Sequence, residues 1–475
     1  MANEYDVVIL GGGTGGYVAA IRSAQLGLKT ALVEKDALGG TCLHKGCIPS
    51  KALLKSASVY QMTKNEAAQF GVDTNGASLN FARVQARKDE IVQQLHKGVI
   101  GLMKKGKIDV YEGHGRMLGP SIFSPMPGTI SVEMNNGEEN EMLILKNLII
   151  ATGSRPRTLQ GLEIDEQQVL SSDGALQMTE LPKSILIVGG GVIGIEWASM
   201  LNDFGVEVTV IEYAERIIPT EDEDISKEMK KLLTKKGITF VTGAKVAADS
   251  LSKTEESVTI SAELAGEMKV FTAEKMLVSV GRQANVEGIG IENTEIQIEN
   301  GFINTKPTFQ TKESHIYAIG DCIGGLQLAH VASHEGIAAV EHIAGISTEP
   351  INYTNISRCI YSSPEAASVG LTEMQAKEQG FDVKVGKFPF AAIGKALING
   401  NADGFVKIIA DKKSNDILGV HMIGGHVTDL ISEAGLAMVL DATPWEVAST
   451  IHPHPSLSEV IGEASLAVDG IAIHM

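Results

Sequence analysis

Cysteine is scarce in this chain, cations are outnumbered by acids, and long apolar runs are missing; each shortage excludes something. Only four cysteines are spread over 475 residues, too few for the disulfide framework that staples small secreted domains. Cys322 and Cys359 stand apart and read as core thiols. Cys42 and Cys47 remain as a local pair, which in a reducing compartment points to catalysis or metal binding. Lys and Arg total 40 against 58 Asp and Glu, a formal charge of −18, and acids interrupt the few basic clusters. Nucleic acid and anionic membrane are poor partners for such a surface. No uninterrupted apolar run approaches the roughly 20 residues of a membrane span. The opening Met-Ala-Asn-Glu-Tyr-Asp lacks the basic region and apolar core of a secretory signal. A soluble, cytoplasmic protein is expected, with about three domains by length.

What is present starts with residues 39–51, Gly-Gly-Thr-Cys-Leu-His-Lys-Gly-Cys-Ile-Pro-Ser-Lys. In an ideal helix, Cα atoms at this spacing lie roughly 8 to 9 Å apart on different faces, beyond an unstrained disulfide. Bent backbone is therefore expected between Cys42 and Cys47. Gly39, Gly40 and Gly46 supply the freedom, and Pro49 suits the first turn of a helix. Cys47 is then near a helix N-terminus, where a thiolate is favoured. The pair reads as a strained, reducible disulfide.

The chain also repeats itself. Val7-Val8-Ile9-Leu10 reads as a buried strand, followed by Gly11-Gly12-Gly13-Thr14-Gly15-Gly16, an apolar helical pattern, and Thr30-Ala31-Leu32-Val33-Glu34. The design recurs at Ser184-Ile185-Leu186-Ile187-Val188, Gly189-Gly190-Gly191-Val192-Ile193-Gly194 and Val208-Thr209-Val210-Ile211-Glu212, and in both copies the acid follows the first glycine by 23 positions. One such glycine string could be a plain turn. A strand, a helix and a spaced acid around each make two dinucleotide sites, the glycines (Gly11, Gly13, Gly16; Gly189, Gly191, Gly194) admitting the pyrophosphate and Glu34 or Glu212 holding an adenosine ribose. Two sites that exchange electrons fit a flavin and a nicotinamide. Glu212 favours NAD, because a carboxylate bonds a free ribose hydroxyl and repels the extra phosphate of NADP; Glu34 then serves the adenine half of FAD.

Several weaker signals accompany these. Leu148-Ile149-Ile150-Ala151-Thr152-Gly153 and Leu277-Val278-Ser279-Val280-Gly281-Arg282 are similar strand endings, each of which could be plain core. Residues 311–321 deliver Asp321 directly after a glycine; taken alone, the lesser alternative is a plain acid in a strand-end turn. In Ile451-His452-Pro453-His454-Pro455-Ser456-Leu457-Ser458-Glu459, prolines present His454 rigidly, and a histidine oriented by a carboxylate is a base suited to a thiol proton. The bland alternative is a surface-loop histidine; a metal site lacks a third nearby ligand. Lys51, one helical turn past Cys47, has an ordinary reading as a solvated helix-surface lysine, and Glu196 lies just past the second glycine string. Glu221-Asp222-Glu223-Asp224 reads as a capped helix start without chemistry.

Together the redox segment, the 311–321 segment and the His-Pro-Ser-Leu-Ser-Glu string at 454–459 resemble the flavin-dependent pyridine nucleotide-disulfide oxidoreductases, over nearly the whole chain. The resemblance implies an α/β protein: two Rossmann-like domains, for FAD and NAD, plus a C-terminal α/β dimerisation domain. It divides the chain into residues 1–150 (first part of the FAD domain), 151–274 (NAD domain), 275–346 (central part completing the FAD site) and 347–475 (interface domain). It implies a homodimer in which His454 and Glu459 meet the Cys42–Cys47 pair of the other subunit. It places Asp321 on the flavin ribitol, Leu328, Ala329 and His330 against the isoalloxazine, and Ala151, Thr152, Gly153 and Gly281 along the cofactors. Lys51 and Glu196 match an ion pair near the reactive flavin nitrogen, and Val192 matches the position gating nicotinamide. The implied activity is reoxidation of dihydrolipoyl groups on the lipoyl domains of 2-oxo acid dehydrogenase or glycine cleavage complexes, with Cys42 as interchange sulfur and Cys47 beside the flavin.

Two departures stand out: His44-Lys45 replaces the family's usual Asn-Val, and Ser357 replaces proline before Arg358. The Lys45 charge is expected to lower the thiol pKa values and raise the disulfide potential. The competing readings fare worse. Glutathione-type reductases carry basic residues where Glu212 stands, mercuric reductase needs another cysteine pair near the C-terminus, and a non-catalytic flavin-binding protein would have shed some of Cys42, Cys47, His454 and Glu459.

Overall fold

Val7-Val8-Ile9-Leu10 has no polar residue for either face, and a strand of that composition needs cover on both sides. In the computed structural model, which describes residues 3–74, 76–120, 129–347 and 349–474, this segment ends strand Asn3–Leu10 at the centre of a sheet. Parallel strands Thr30–Glu34 and Glu141–Ile150 flank it. Asp109–Met117 lies beyond the first and Ile316–Ala318 beyond the second. Leu10 pairs with Val33 and with Ile150, and Ile150 with Ala318. This rung ends the strands together, so Gly11, Glu34, Ala151 and the Gly320–Asp321 turn leave from one carboxyl edge, where open α/β sheets bind ligands.

The chain divides into two compact units, Met1–Ala52 with Gln85–Arg157 and Arg282–Ile351, and Leu53–Val84 with Thr158–Gly281 and Asn352–Met475. The second contains a parallel sheet in the order Thr239–Val241, Glu207–Ile211, Ser184–Val188, Lys275–Val278, Val169–Leu170. Strand Lys275–Val278 lies beside Ser184–Val188, so the second dinucleotide fold extends past the expected end at 274, because its sheet needs that strand to cover Ser184–Val188. Residues 151–157 likewise cluster with the first unit, where Ser154–Pro156 pairs with Arg282–Ala284.

The C-terminal part of the second unit is an antiparallel sheet of five strands, Arg358–Ile360, Glu365–Gly370, Ile417–Gly424, Phe405–Asp411 and Val383–Pro389. Helices Val427–Val439 and Glu459–Ala467 share its core through Ile431, Ala434, Val460 and Ile461. Trp197, Met229 and Leu233 of the dinucleotide fold share another core with Ile360, Phe405 and Ile423 of this sheet.

The acidic run at 221–224 does cap a helix: the Asp222 side chain accepts from the Asp224 amide at the start of Glu223–Lys235. It also does what the sequence did not suggest. Glu221 and Asp222 are buried, and Lys407, 3% exposed, places its ammonium 2.9 Å from Asp222, 3.0 Å from Asp224 and 2.8 Å from Glu373. Burial opposes the Lys407 charge, yet Glu373 and Asp222 outweigh it and hold the ammonium above its ordinary pKa. A raised lysine pKa contributes stability fully below its unfolded value, about 10.4, and loses it as pH rises through the folded value, so the contribution is intact at neutral pH. Lys407→Met leaves the buried Asp222 carboxylate without its cation, while Asp224 keeps Lys387 and Glu373 keeps Lys377, and is expected to cost about 3–5 kcal/mol, read as a fall in the denaturant midpoint; adding Asp222→Leu should recover part of the loss.

Candidate active site

Both glycine strings make the same tight crossing. Gly11 and Gly189 have φ of 109° and 108°, and a Cβ on them would lie 2.3 Å from the Ala151 carbonyl oxygen and 2.4 Å from that of Ser279. At Gly16 and Gly194 a Cβ would stand 1.9 Å from the carbonyl oxygen of Gly11 or Gly189, so only glycine lets each helix close on its own strand. Gly13 and Gly191 are the N-caps of helices Thr14–Gln25 and Val192–Asp203; a Cβ on Gly191 would meet nothing within 4 Å, and one on Gly13 only the Gly40 Cα, at 4.0 Å. That clearance beside helix N-termini suits a pyrophosphate. Val192 opens the second helix. Glu34 accepts from the amides of Gly12 (2.6 Å) and Asp36 (2.7 Å), and Glu212 repeats this with Gly190 and Ala214. The two sites agree in chemistry as well as spacing.

At the first edge, Asp321 accepts a hydrogen bond from Ser154, and Ser154 Oγ accepts from Arg282 Nε at 2.7 Å. Thr152 and Asn285 exchange bonds, Thr152 Oγ1 to the Asn285 carbonyl and Asn285 Nδ2 to the Thr152 carbonyl. Ser154 and Asn285 were not singled out by sequence; polar residues far apart in the chain carry no local pattern. Leu328 is the N-cap of helix Ala329–Ile343, which puts Ala329 and His330 in its first turn.

The redox segment is packed directly on the first phosphate loop. Gly39 bridges Gly13, and a Cβ on Gly40, φ 57°, would lie 2.6 Å from the Gly13 Cα. Cys42 is inside the short helix Gly40–His44, the backbone breaks at Lys45 and Gly46, and Cys47 begins helix Cys47–Gln61. The expected bend is there. Gly46 permits it, since a Cβ would sit 2.9 Å from the Thr41 carbonyl oxygen and 3.4 Å from the Cys42 Cα. The pair stands as two thiols in hydrogen-bond contact. That bond pushes the Cys42 pKa up and burial adds to it, while the Thr14 hydroxyl and the Lys51 charge act the other way.

The cation acting on Cys42 is thus Lys51. Lys45 turns instead to Asp36, 3.6 Å away at the surface, a pairing that offsets the charge expected to tune the thiols. His44 bonds the Leu38 carbonyl at 2.9 Å, as does His96.

In the second unit, His454 Nδ1 meets Glu459 Oε1 at 2.9 Å, and Glu459 Oε2 accepts from the Ser456 amide at 2.9 Å. The Ser456 amide, against burial and with His454, holds the Glu459 carboxyl below its ordinary pKa. Glu196 is buried and accepts from the Tyr361 amide at 3.0 Å; it belongs to a different unit from Lys51. Among the described residues no cluster could hold a metal ion, and no helix is long and apolar enough to cross a membrane.

A dithiol packed on one dinucleotide edge, a second such edge and a histidine–carboxylate pair define a class. The chain belongs to the pyridine nucleotide-disulphide oxidoreductases: that family's model matches residues 5–336, and the model of its dimerisation domain matches 356–465. The chain is 72% identical over 474 residues to the dihydrolipoyl dehydrogenase of Bacillus subtilis, covering all of both chains. It is 42% identical to the mitochondrial dihydrolipoyl dehydrogenase of Pisum sativum, over all of this chain and 93% of that one. Among solved structures, LpdA from Mycobacterium tuberculosis superposes with a TM-score of 0.88 over 98% of this chain and 99% of its own, at 24% identity, a likeness of fold.

Lys45→Val is expected to leave the thiol titration of the reduced protein unchanged and Lys51→Met to raise it, both measured by pH-dependent alkylation. Gly194→Ala should weaken NADH binding by at least about tenfold, near 1.4 kcal/mol, in a calorimetric titration.

Proposed function

We propose that this chain is a dihydrolipoyl dehydrogenase, an FAD-dependent enzyme that oxidises dihydrolipoyl groups with NAD⁺. The reading is carried by the full-length 72% identity together with the cysteine pair seated on the first glycine loop. Residues 1–150 and 275–346 are assigned to FAD, 151–274 to NAD, with the edges moved as described above, and 347–475 to the dimer interface. Leu436, Val439, Leu440 and Trp445 are large apolar side chains left exposed there, which favours burial against a second copy. The partners follow as lipoyl domains of 2-oxo acid dehydrogenase or glycine cleavage complexes, in the cytoplasm.

The residues fit both nucleotides. Open glycine loops accept pyrophosphates, Glu34 and Glu212 present carboxylates for ribose hydroxyls, and Asp321, held by Ser154, is available to a polyol chain. Glu212 disfavours NADP through repulsion of its extra phosphate. When bound, FAD carries two electrons between the cysteine pair and NAD⁺.

The protein's own part is thiol and proton chemistry. His454 of one subunit, its ring fixed by Glu459, takes the proton of a dihydrolipoyl thiol. The thiolate attacks Cys42 Sγ of the disulfide form, making a mixed disulfide and releasing Cys47 as a thiolate at its helix N-terminus. The second substrate thiolate then attacks the substrate sulfur of the mixed disulfide, closing lipoamide and freeing Cys42. One disulfide is made and one consumed, and Lys51 lowers the cost of the anionic state at Cys42.

Purified protein with dihydrolipoamide should form NADH rapidly with NAD⁺, slowly or not at all with NADP⁺, and not at all after Cys47→Ser. A protein whose flavin is reduced by NADH but which does not turn over dihydrolipoamide would send the search to another disulfide substrate.

A further inference from the structure

The loop that presents His454 has a second histidine whose placement the reaction does not explain. His452 Nε2 lies 2.7 Å from Glu433 Oε1, and its side chain is 8% exposed, against 79% for His454. Glu433 comes from helix Val427–Val439. The other side of the ring meets helix Glu459–Ala467, where a Cβ on Gly462 would lie 3.0 Å from His452 Nδ1. Gly462 follows Glu459 by about one turn of that helix. His452 is therefore wedged between two helices, one of which carries the partner of His454.

Packing alone would be served by an apolar side chain, since burying an imidazole costs free energy unless it is hydrogen-bonded. Glu433 meets that cost. The loop is then tied on both sides of His454: two residues earlier by His452 to Glu433, and afterwards by the Ser456 amide to Glu459. The other acids nearby are Asp429, in the first turn of the Glu433 helix, Glu463 on the Glu459 helix and Glu446 on helix Pro444–Ser449. Glu463 bonds His474 Nδ1 and the Ile473 amide, and Glu446 caps its own helix through Thr443. His452 also adds, after the Ser456 amide and His454 and against burial, to the field that keeps the Glu459 carboxyl ionised.

We propose that Glu433 and His452 are positioning residues for dithiol oxidation, a hydrogen-bonded pair with a buried imidazole and a partly exposed carboxylate that fixes the loop so that His454 keeps its bond to Glu459 and its aim at the substrate thiol. This rests on His454 being the base.

The test uses the full-length enzyme with two assays: NAD⁺-dependent oxidation of dihydrolipoamide across pH, and NADH oxidation by ferricyanide, which calls on no base at His454. Glu433→Ala is expected to lower kcat for dihydrolipoamide about 10- to 100-fold, the scale of a small misplacement of a reacting group. It should also displace the pH profile of kcat/KM and leave ferricyanide reduction within about twofold. Glu433→Gln should restore most of the loss, because its amide oxygen accepts the same bond from Nε2–H. His452→Phe, which keeps the ring against Gly462 without the bond, should reproduce Glu433→Ala and carries the test if that variant does not fold. An unchanged kcat and pH profile in Glu433→Ala or His452→Phe, a parallel fall of both assays, or a Gln variant as impaired as the Ala variant would each overturn the proposal. Wild-type protein inactive on dihydrolipoamide would instead remove the reading beneath it.

Discussion

Backbone meeting backbone at two glycines decides the placement of the chemistry in the first unit. Residues 39 and 40 press on Gly13, with room for no side chain at Gly40, and through that contact the dithiol segment becomes an extension of the phosphate loop. A larger residue at Gly40 would lift Cys42 and Cys47 off the sheet edge. The close approach has a second consequence. Cys42 is half-buried where it can share a proton with Cys47 and feel both the Thr14 hydroxyl and Lys51. The seating of the loop thus brings Lys51 to bear on Cys42, while Lys45, closer in sequence to the pair, faces Asp36.

The second unit is organised by a different force. Its dinucleotide fold and its C-terminal sheet share an apolar core, and the buried Lys407 and Asp222, with the partly exposed Asp224 and Glu373, form an ionic cluster in the same unit. Apolar contact supplies cohesion without direction, whereas an ammonium shared by three carboxylates tolerates little displacement, because any group left unpaired retains its desolvation penalty. Together they fix the helix start at Asp222 relative to the strand carrying Lys407. The acids are at once a cap and a clamp.

Exposure and anchoring are divided between two histidines of one loop. His454 is largely open to solvent while its neighbour His452 is nearly enclosed. A base that takes the proton of a substrate thiol, the role proposed for His454, needs the first condition, and a defined direction of its ring needs something like the second. Glu459 serves both, as the acceptor for His454 and as the start of the helix that His452 packs against.

The amino-acid order alone determined the two crossovers, their paired acids, the bend between Cys42 and Cys47 and the pairing of His454 with Glu459. Each depends on local stereochemistry: strands and helices have their own periods, glycine alone enters tight crossings, and a capped loop brings near neighbours together. The partnerships of Asp321 with Ser154, of Lys407 with the 221–224 acids and of His452 with Glu433 were decided only by the tertiary structure. They join residues separated by 167, 185 and 19 positions, and side chains that far apart have no shared periodicity to reveal them. The same reason explains Lys45, whose charge was visible in sequence while its direction was set by the turn that carries it.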